Sequence, residues 1–498
     1  MGQPLICMTL TGKTIEEDIK LSQKYEKFCD VLELRADHLD ENEQLLIRKF
    51  PALVKKPCIL TIRRDSDGGL WTGNDFSRTN LFGRALAFAD PDKKRNFAYV
   101  DFEEDYHIPS IQDAAMAFGV RIIRSCHNMT EPIHNLRKRC DAMRKTGYEI
   151  PKIAFMPKTL SDVVNLFHES SLMTNYDHIL VAMGAEGMPS RILTSISNSY
   201  MTYTSPQETA DKTASIGHID PVVLNDLYNF KGISKATQLF GITGWPLVKT
   251  SSPEIHNMGY RHHGIDAVYF PIRSQLISES LNFAEQLDVK GMSVTIPFKE
   301  SVLYYLHELS PEVMQIGACN TVVRKNYKWI GYNTDCTGFE RALLEFLGSN
   351  VKTKKMKVSI IGAGGAAKAI AYTVKKLGMK ACIFNRTLET AQKLAEKYDF
   401  MAAKLDETSA MILDEYSSLI IQTTSVGMNA EGPISPENDP IYFYKFRGTE
   451  KVFDIVYVPA STPVMRRASA AGCKVCNGYK MLEYQAYEQF KLFTGVDY

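Results

Sequence analysis

Over the first 230 or so residues, short apolar runs recur with amphipathic stretches between them, at residues 4–10, 31–34, 58–62, 97–102, 120–125, 152–156, 178–183 and 200–204. Each run is too apolar to turn one face to water, the pattern of parallel strands covered on both sides. Eight strand-helix repeats of this kind predict an α/β fold closed as a (β/α)8 TIM barrel. The alternative, an open doubly wound sheet, usually has fewer strands. Thr14-Ile15-Glu16-Glu17 is a capping-box pattern and opens a helix expected to run to about residue 28. Residues 220–233 read as the last helix of this half, with Pro221 in its first turn.

A barrel presents its chemistry at the C-terminal ends of its strands. There the sequence sets Glu33, Arg35 and Asp37 after the second strand, Arg63 and Asp67 after the third, and His127 after the fifth. Lys152 opens the sixth, and Arg191 follows the seventh. Singly, Lys152 reads as a solvated strand-edge lysine and His127 as a satisfied loop histidine. Converging on one mouth, these cations suit a small, carboxylated, oxygen-rich molecule. A lysine in an apolar strand can attack a ketone as the neutral amine, and a histidine near neutrality can move the protons.

Leu32-Glu33-Leu34-Arg35-Ala36-Asp37, Arg63 with Asp67-Gly68-Gly69, His127, Pro151-Lys152-Ile153-Ala154 and Ser190-Arg191 resemble, in order and spacing, the type I 3-dehydroquinate dehydratases over residues 4–233. The resemblance implies a Schiff base at Lys152, with His127 as the proton carrier. It also implies that Arg191 pairs with the substrate carboxylate, and that Glu33, Arg35 and Arg63 hold hydroxyls or orient the site. Two departures stand out. Asp67 replaces a usual Glu, shortening the reach to His127. Residues 213–218 replace a usual Ser-Ala-Pro-Gly-Gln closing run, putting Ala214 for the serine and His218 for the glutamine.

The second half follows after a junction of about four residues, 234–237, with no tether rich in Pro, Ser or Gly; there is no internal repeat. Residues 357–361 read as a strand, Gly362-Ala363-Gly364-Gly365-Ala366-Ala367 as a tight turn and residues 368–377 as a helix. This is the dinucleotide fingerprint in its required context: the glycines let backbone N–H groups approach a pyrophosphate at a helix N-terminus. The next strand, 381–384, ends in Asn385-Arg386-Thr387, where an arginine in place of an acid favours a 2′-phosphate and so NADP. Residues 238–340 form a separate mixed lobe, with strands at 238–243, 267–270 and 292–296 and an antiparallel pair at 320–324 and 329–333. Lys299 and Asp335 are the charged pair among its polar turns.

Ser252-Pro253 with His256-Asn257, Val294-Thr295-Ile296-Pro297-Phe298-Lys299, Asn320-Thr321, Asn333-Thr334-Asp335, Thr423-Thr424-Ser425 and Gly478-Tyr479-Lys480-Met481 with Gln485 resemble shikimate dehydrogenase over residues 238–498. The resemblance implies Lys299 and Asp335 as catalytic pair, with Thr250, Ser252, Thr295, Asn320, Tyr457 and Gln485 on the substrate. It implies Gly362–Ala366, Asn385, Arg386, Thr387, Thr424, Gly478 and Met481 on NADP. Lys249-Thr250 stands for a usual His-Ser and Ser293 for a usual Asn, which bears on the choice between shikimate and quinate.

The expected domains are a barrel at 1–233, a substrate lobe at 238–340 and a Rossmann lobe at 341–498. The expected function is bifunctional: Schiff-base dehydration of 3-dehydroquinate, then NADPH-dependent reduction of 3-dehydroshikimate. The alternatives are a quinate-directed fusion and a non-catalytic sensor. With Lys+Arg 58 against Asp+Glu 57, no global field attracts nucleic acid or membrane, so anionic ligands need local cations. Ten scattered cysteines read as reduced thiols without a metal site. No apolar run approaches the roughly 20 residues that span a bilayer, and the strand-like start leaves no room for a leader peptide, so a cytoplasmic protein is expected.

Overall fold

The computed structural model describes residues 2–87, 90–213, 216–247, 250–349, 351–430 and 432–498. Eight parallel strands follow one another as β1 (Leu5–Leu10), β2 (Val31–Arg35), β3 (Cys58–Thr61), β4 (Tyr99–Glu103), β5 (Arg121–Asn128), β6 (Ile150–Phe155), β7 (Ile179–Ala182) and β8 (Met201–Thr204). From β1 to β7 each strand pairs with the next, and β8 pairs with β1. The remaining seam, β7 against β8, is held by Tyr200 N–H on the His178 carbonyl at 2.7 Å and Leu180 N–H on Ser199 Oγ at 3.1 Å. This is the barrel the apolar periodicity predicts.

Strand alternation sorts the interior. Cys7, Val31, Ile59, Tyr99, Ile123, Ile150, Ile179 and Met201 form one buried apolar cluster inside the barrel. Two residues further along the same strands stand Glu33, Thr61, Asp101, Ser125 and Lys152. Because side chains repeat with period two, the apolar layer supports a polar layer above it. Lys152 lies between Ile150 and Ala154 of that inward face and is buried, so it is no strand-edge lysine.

Helix ends depart from expectation where the local backbone turns. The first helix spans Ile15–Lys24, with Thr14 Oγ1 accepting from Glu17 N–H, and passes into a 3-10 turn at Glu26–Phe28. The expected last helix is interrupted: Val223–Leu227 is wound as a π-helix, Asn229 is left-handed at φ 50°, and a 3-10 turn follows at Phe230–Gly232.

Two compact units divide the chain: Met1–Gly241 with Tyr260–Val289, and Ile242–Gly259 with Lys290–Tyr498. In the first, β9 (Gln238–Gly244) begins beside β10 (Ala267–Arg273). The second holds β11 (Val289–Val294), β13 (Thr321–Lys325), β14 (Lys328–Tyr332) and β12 (Glu308–Leu309) of a mixed sheet, with β13 and β14 antiparallel. The two-residue β12 has no sequence signal. A second, wholly parallel sheet runs β17 (Met401–Lys404), β16 (Lys380–Asn385), β15 (Lys357–Ile361), β18 (Leu419–Gln422), β19 (Lys451–Asp454), β20 (Lys474–Cys476). The helix Thr334–Leu347 packs on the helix Tyr479–Thr494 through Gly338. A Cβ there would lie 2.7 Å from the Gln485 backbone nitrogen, so only glycine fits. Among the described residues no helix is long and apolar enough to cross a membrane.

Asp18, in the first helix, is fully buried. Oδ1 accepts from Gly12 N–H at 2.8 Å and Oδ2 has no partner. Burial pushes its carboxyl up to about 7. In the unfolded chain the group titrates near 3.9, so between about 4 and 7 the folded state holds a proton the unfolded state has lost, and stability falls as pH rises through that window. Asp18→Asn is expected to remove this loss. The melting-temperature difference between variant and parent should therefore be larger in the variant's favour at pH 8 than at pH 4, measured by thermal denaturation.

Two candidate active sites

The barrel mouth holds a cavity of about 70 Å³. Of the barrel residues nominated from the sequence, Glu33, Arg35, Arg63, Asp67, His127, Lys152, Arg191 and His218 line it, and Asp37 does not. Behind the lining residues Asp101, from β4, joins two of the cations. Oδ2 lies 2.8 Å from Arg63 and 3.2 Å from Lys152 Nζ, while Oδ1 accepts from Ser125 Oγ at 2.5 Å. Glu33 accepts from Thr9 at 2.8 Å and Thr61 at 2.9 Å and lies 3.9 Å from Lys152 Nζ. Arg35 is clamped by Asp37 at 2.7 and 2.9 Å. Burial would raise the Asp101 carboxyl, but Arg63 and then Lys152 outweigh it and hold the group well below the usual carboxylate range.

Burial, then the Arg63 and Lys152 charges, push His127 well below its ordinary value, so the imidazole is neutral at pH 7. Its Nδ1 is buried without a partner. Asp67 turns instead to Arg64, 3.0 Å from Nε, and Arg64 is also paired with Asp105. Among the described residues Arg191 has no carboxylate beside it; its guanidinium donates to the Tyr203 and Ile216 carbonyls at 3.3 and 2.6 Å, and burial lowers it to about 9. A desolvated guanidinium without a counter-ion is prepared for an anion. His218, also pushed well below its ordinary value by burial and then Arg191, hydrogen-bonds Ser205 at 2.6 Å. Ala214 lies outside the described residues. Asp101, Glu103 and Tyr203 were missed from sequence, although Asp101-Phe102-Glu103 puts two carboxylates on one face of an apolar strand, a readable signal.

The second unit holds a cavity of about 520 Å³, within the range of small-molecule sites. Lys299 Nζ lies 2.5 Å from Asp335 Oδ2, and Asn320 Nδ2 donates to Asp335 Oδ1 at 2.9 Å and to Gln485 Oε1 at 3.3 Å. Thr250, Ser252, Thr295 and Tyr457 share this wall, with Thr250 Oγ1 3.1 Å from Ser252 Oγ. The same cavity is lined by Gly362, Ala363, Gly364, Gly365 and Ala366 with Asn385, Thr424, Gly478 and Met481. Arg386 and Thr387 are exposed and do not line it.

The glycine turn fits a dinucleotide. The helix Gly365–Lys376 has no side chain capping its N-terminus, and a Cβ on Gly364 would meet open space. Gly362 is at φ 110°, where a Cβ would fall 2.6 Å from Thr423 Oγ1. Bare N–H donors beside a close-approach backbone suit a pyrophosphate.

Residues 6–235 match the family model for type I 3-dehydroquinase. Residues 242–322 match the shikimate dehydrogenase substrate binding domain and 345–429 match shikimate / quinate 5-dehydrogenase. A bifunctional 3-dehydroquinate dehydratase/shikimate dehydrogenase of Arabidopsis thaliana, chloroplastic, is 32% identical across 99% of this chain and 82% of its own length. The chain belongs to the bifunctional 3-dehydroquinate dehydratase/shikimate dehydrogenase family. A shikimate dehydrogenase (NADP(+)) of Pyrococcus furiosus is 38% identical over 53% of this chain and 93% of its own. The dehydroquinate dehydratase and shikimate dehydrogenase structure from S. pombe aligns over 100% of this chain and 96% of its own, at 24% identity and a TM-score of 0.43.

Within this bifunctional dehydratase/dehydrogenase, the sequence departures have structural counterparts. Ser293, shorter than the usual Asn, donates to Gln489 Oε1 at 2.8 Å. Lys249 lies outside the described residues. In the dehydratase half, Asp101 bridges Arg63 and Lys152, while Glu103 lies 3.4 Å from Arg63 and Glu33 3.9 Å from Lys152. Asp101→Asn removes the shared carboxylate and leaves each cation only its longer contact, and is expected to destabilise the protein by about 3 kcal/mol, measured by urea denaturation followed by a barrel signal.

Proposed function

We propose that the barrel dehydrates 3-dehydroquinate to 3-dehydroshikimate and that the second unit reduces this ketone to shikimate with NADPH. The observation that carries the reading is the enclosure of Lys152, His127 and an anion-free Arg191 around one cavity. Arg191 takes the substrate carboxylate, while Glu33, Arg35, Arg63, Asp67 and His218 bind or orient its hydroxyls. Neutral His127 accepts a proton from Lys152, whose amine adds to the ketone; loss of water gives the imine. His127 then takes the proton from the adjacent carbon and returns it to the departing hydroxyl, and hydrolysis frees Lys152.

In the second unit Thr250, Ser252, Thr295, Asn320, Tyr457 and Gln485 hold the substrate. Gly362–Ala366, Asn385, Arg386, Thr387, Thr424, Gly478 and Met481 hold NADPH, which supplies hydride when bound. Lys299 delivers the proton to the carbonyl oxygen and Asp335 fixes the ammonium in place. The chain divides as a dehydratase at 1–233, a substrate lobe at 238–340 and a Rossmann lobe at 341–498. It works in the cytoplasm, in aromatic amino acid (chorismate) biosynthesis. Neither a quinate-directed enzyme nor a silent sensor is favoured: a sensor has no need of lysine, histidine and a lysine-aspartate pair together.

Borohydride added to protein with 3-dehydroquinate should leave a reduced adduct on Lys152, detected by peptide mass spectrometry. Substrate bound without an adduct would overturn the barrel reading. NADPH oxidation with 3-dehydroshikimate should fall about 100-fold or more in Lys299→Ala and in Asp335→Ala; undiminished rates in both would overturn the second. Shikimate against quinate as reverse substrate decides the remaining choice.

A further inference from the structure

Three residues lining the barrel cavity carry a buried polar atom with no hydrogen-bond partner among the described residues: His127 Nδ1, Arg191 Nε and the Tyr203 hydroxyl. Buried polar groups are almost always paired, so such a cluster marks where a ligand completes the bonding. The proposed reaction gives His127 and Arg191 a partner and leaves Tyr203 without one. Tyr203 is on β8, two residues beyond Met201 and on the same inward face. Lys152 Nζ sits over its ring, 4.0 Å from the centroid. The nearby carboxylates do not draw the hydroxyl. Glu33 is already served by Thr9 and Thr61, and Asp101 by Ser125, Arg63 and Lys152.

We propose that the Tyr203 hydroxyl is a further catalytic group of the dehydratase, donating a hydrogen bond to the oxygen on the carbon that Lys152 attacks. The proposal rests on Lys152 as the Schiff-base lysine. That carbon is bonded directly to Nζ, so its oxygen is carried beside the ring on which Nζ packs. Burial, then Cys7, Glu33 and Asp101, push the phenol well above its ordinary value, so it stays protonated and acts as a donor, not a base.

The step balances as follows. Lys152 gives a proton to neutral His127; the amine lone pair forms the C–N bond while the C=O π pair moves to oxygen, which Tyr203 stabilises. A proton passes from nitrogen to that oxygen, giving the carbinolamine. His127 then protonates the hydroxyl, the C–O bond breaks, water leaves, and the nitrogen lone pair forms the protonated imine. Tyr203 ends with the proton it began with.

Tyr203→Phe keeps the ring over Lys152 and removes only the donor. The expected result with 3-dehydroquinate is a kcat reduced about 10- to 100-fold, with KM within about twofold of the parent. The borohydride-trapped adduct should form more slowly by the same factor. The melting temperature and the NADPH-dependent rate of the second unit should be unchanged, which a merely structural role would not give. Tyr203→Leu, lacking the ring as well, should lose at least as much. If the parent is trapped at Lys152 and either variant turns over within about twofold of it, the Tyr203 assignment is overturned and the Lys152 reading stands. If the parent itself shows no adduct, the Lys152 reading is what fails.

Discussion

The contact on which the barrel chemistry depends is the carboxylate of Asp101 between Arg63 and Lys152. Isolated charges in a low-dielectric interior are prohibitively costly, so each must be paired and hydrogen-bonded. Asp101 neutralises two neighbours at once, and Ser125 occupies its other oxygen. This keeps a lysine inside a barrel whose lower layer is apolar, while burial and the Arg63 and Lys152 charges leave His127 uncharged against the opposite pull of Asp101. Arg191 stands apart from the network, and that separation makes it available to an anion.

The second unit solves a similar problem with amides. Asn320 ties Asp335, Thr334 and Gln485 together, while its Oδ1 accepts from Thr334 N–H at 2.8 Å. A single side chain thus aligns the start of one helix with the middle of another before any ligand arrives. Preorganisation of this kind lowers the reorganisation needed during reaction.

Much of this was legible because the pattern is strong. Eight wholly apolar runs separated by amphipathic stretches predict the barrel, and the period of two along a strand puts Lys152 inward once Ile150 and Ala154 are seen to share its face. The glycine turn was readable because its backbone demands glycine at Gly362, φ 110°. What escaped was whatever depends on distant segments meeting. Asp101 and Glu103 look like strand acids until Arg63 and Arg78 are brought to them. Asp67 is one methylene short of a usual Glu, but only the fold shows its carboxylate turned to Arg64. The interruption at Asn229 is a left-handed backbone choice that helical periodicity does not report.

The Gly338 crossing welds two helices that are far apart in the chain. One carries Asp335 in its first turn, and its Phe339, Leu343 and Phe346 are part of the Rossmann core; the other carries Gln485, and its Met481 joins the same core. With no side chain between the backbones, these two cavity-lining groups cannot slide past each other. Their spacing is thus a fixed gauge, anchored in the same apolar core at both ends.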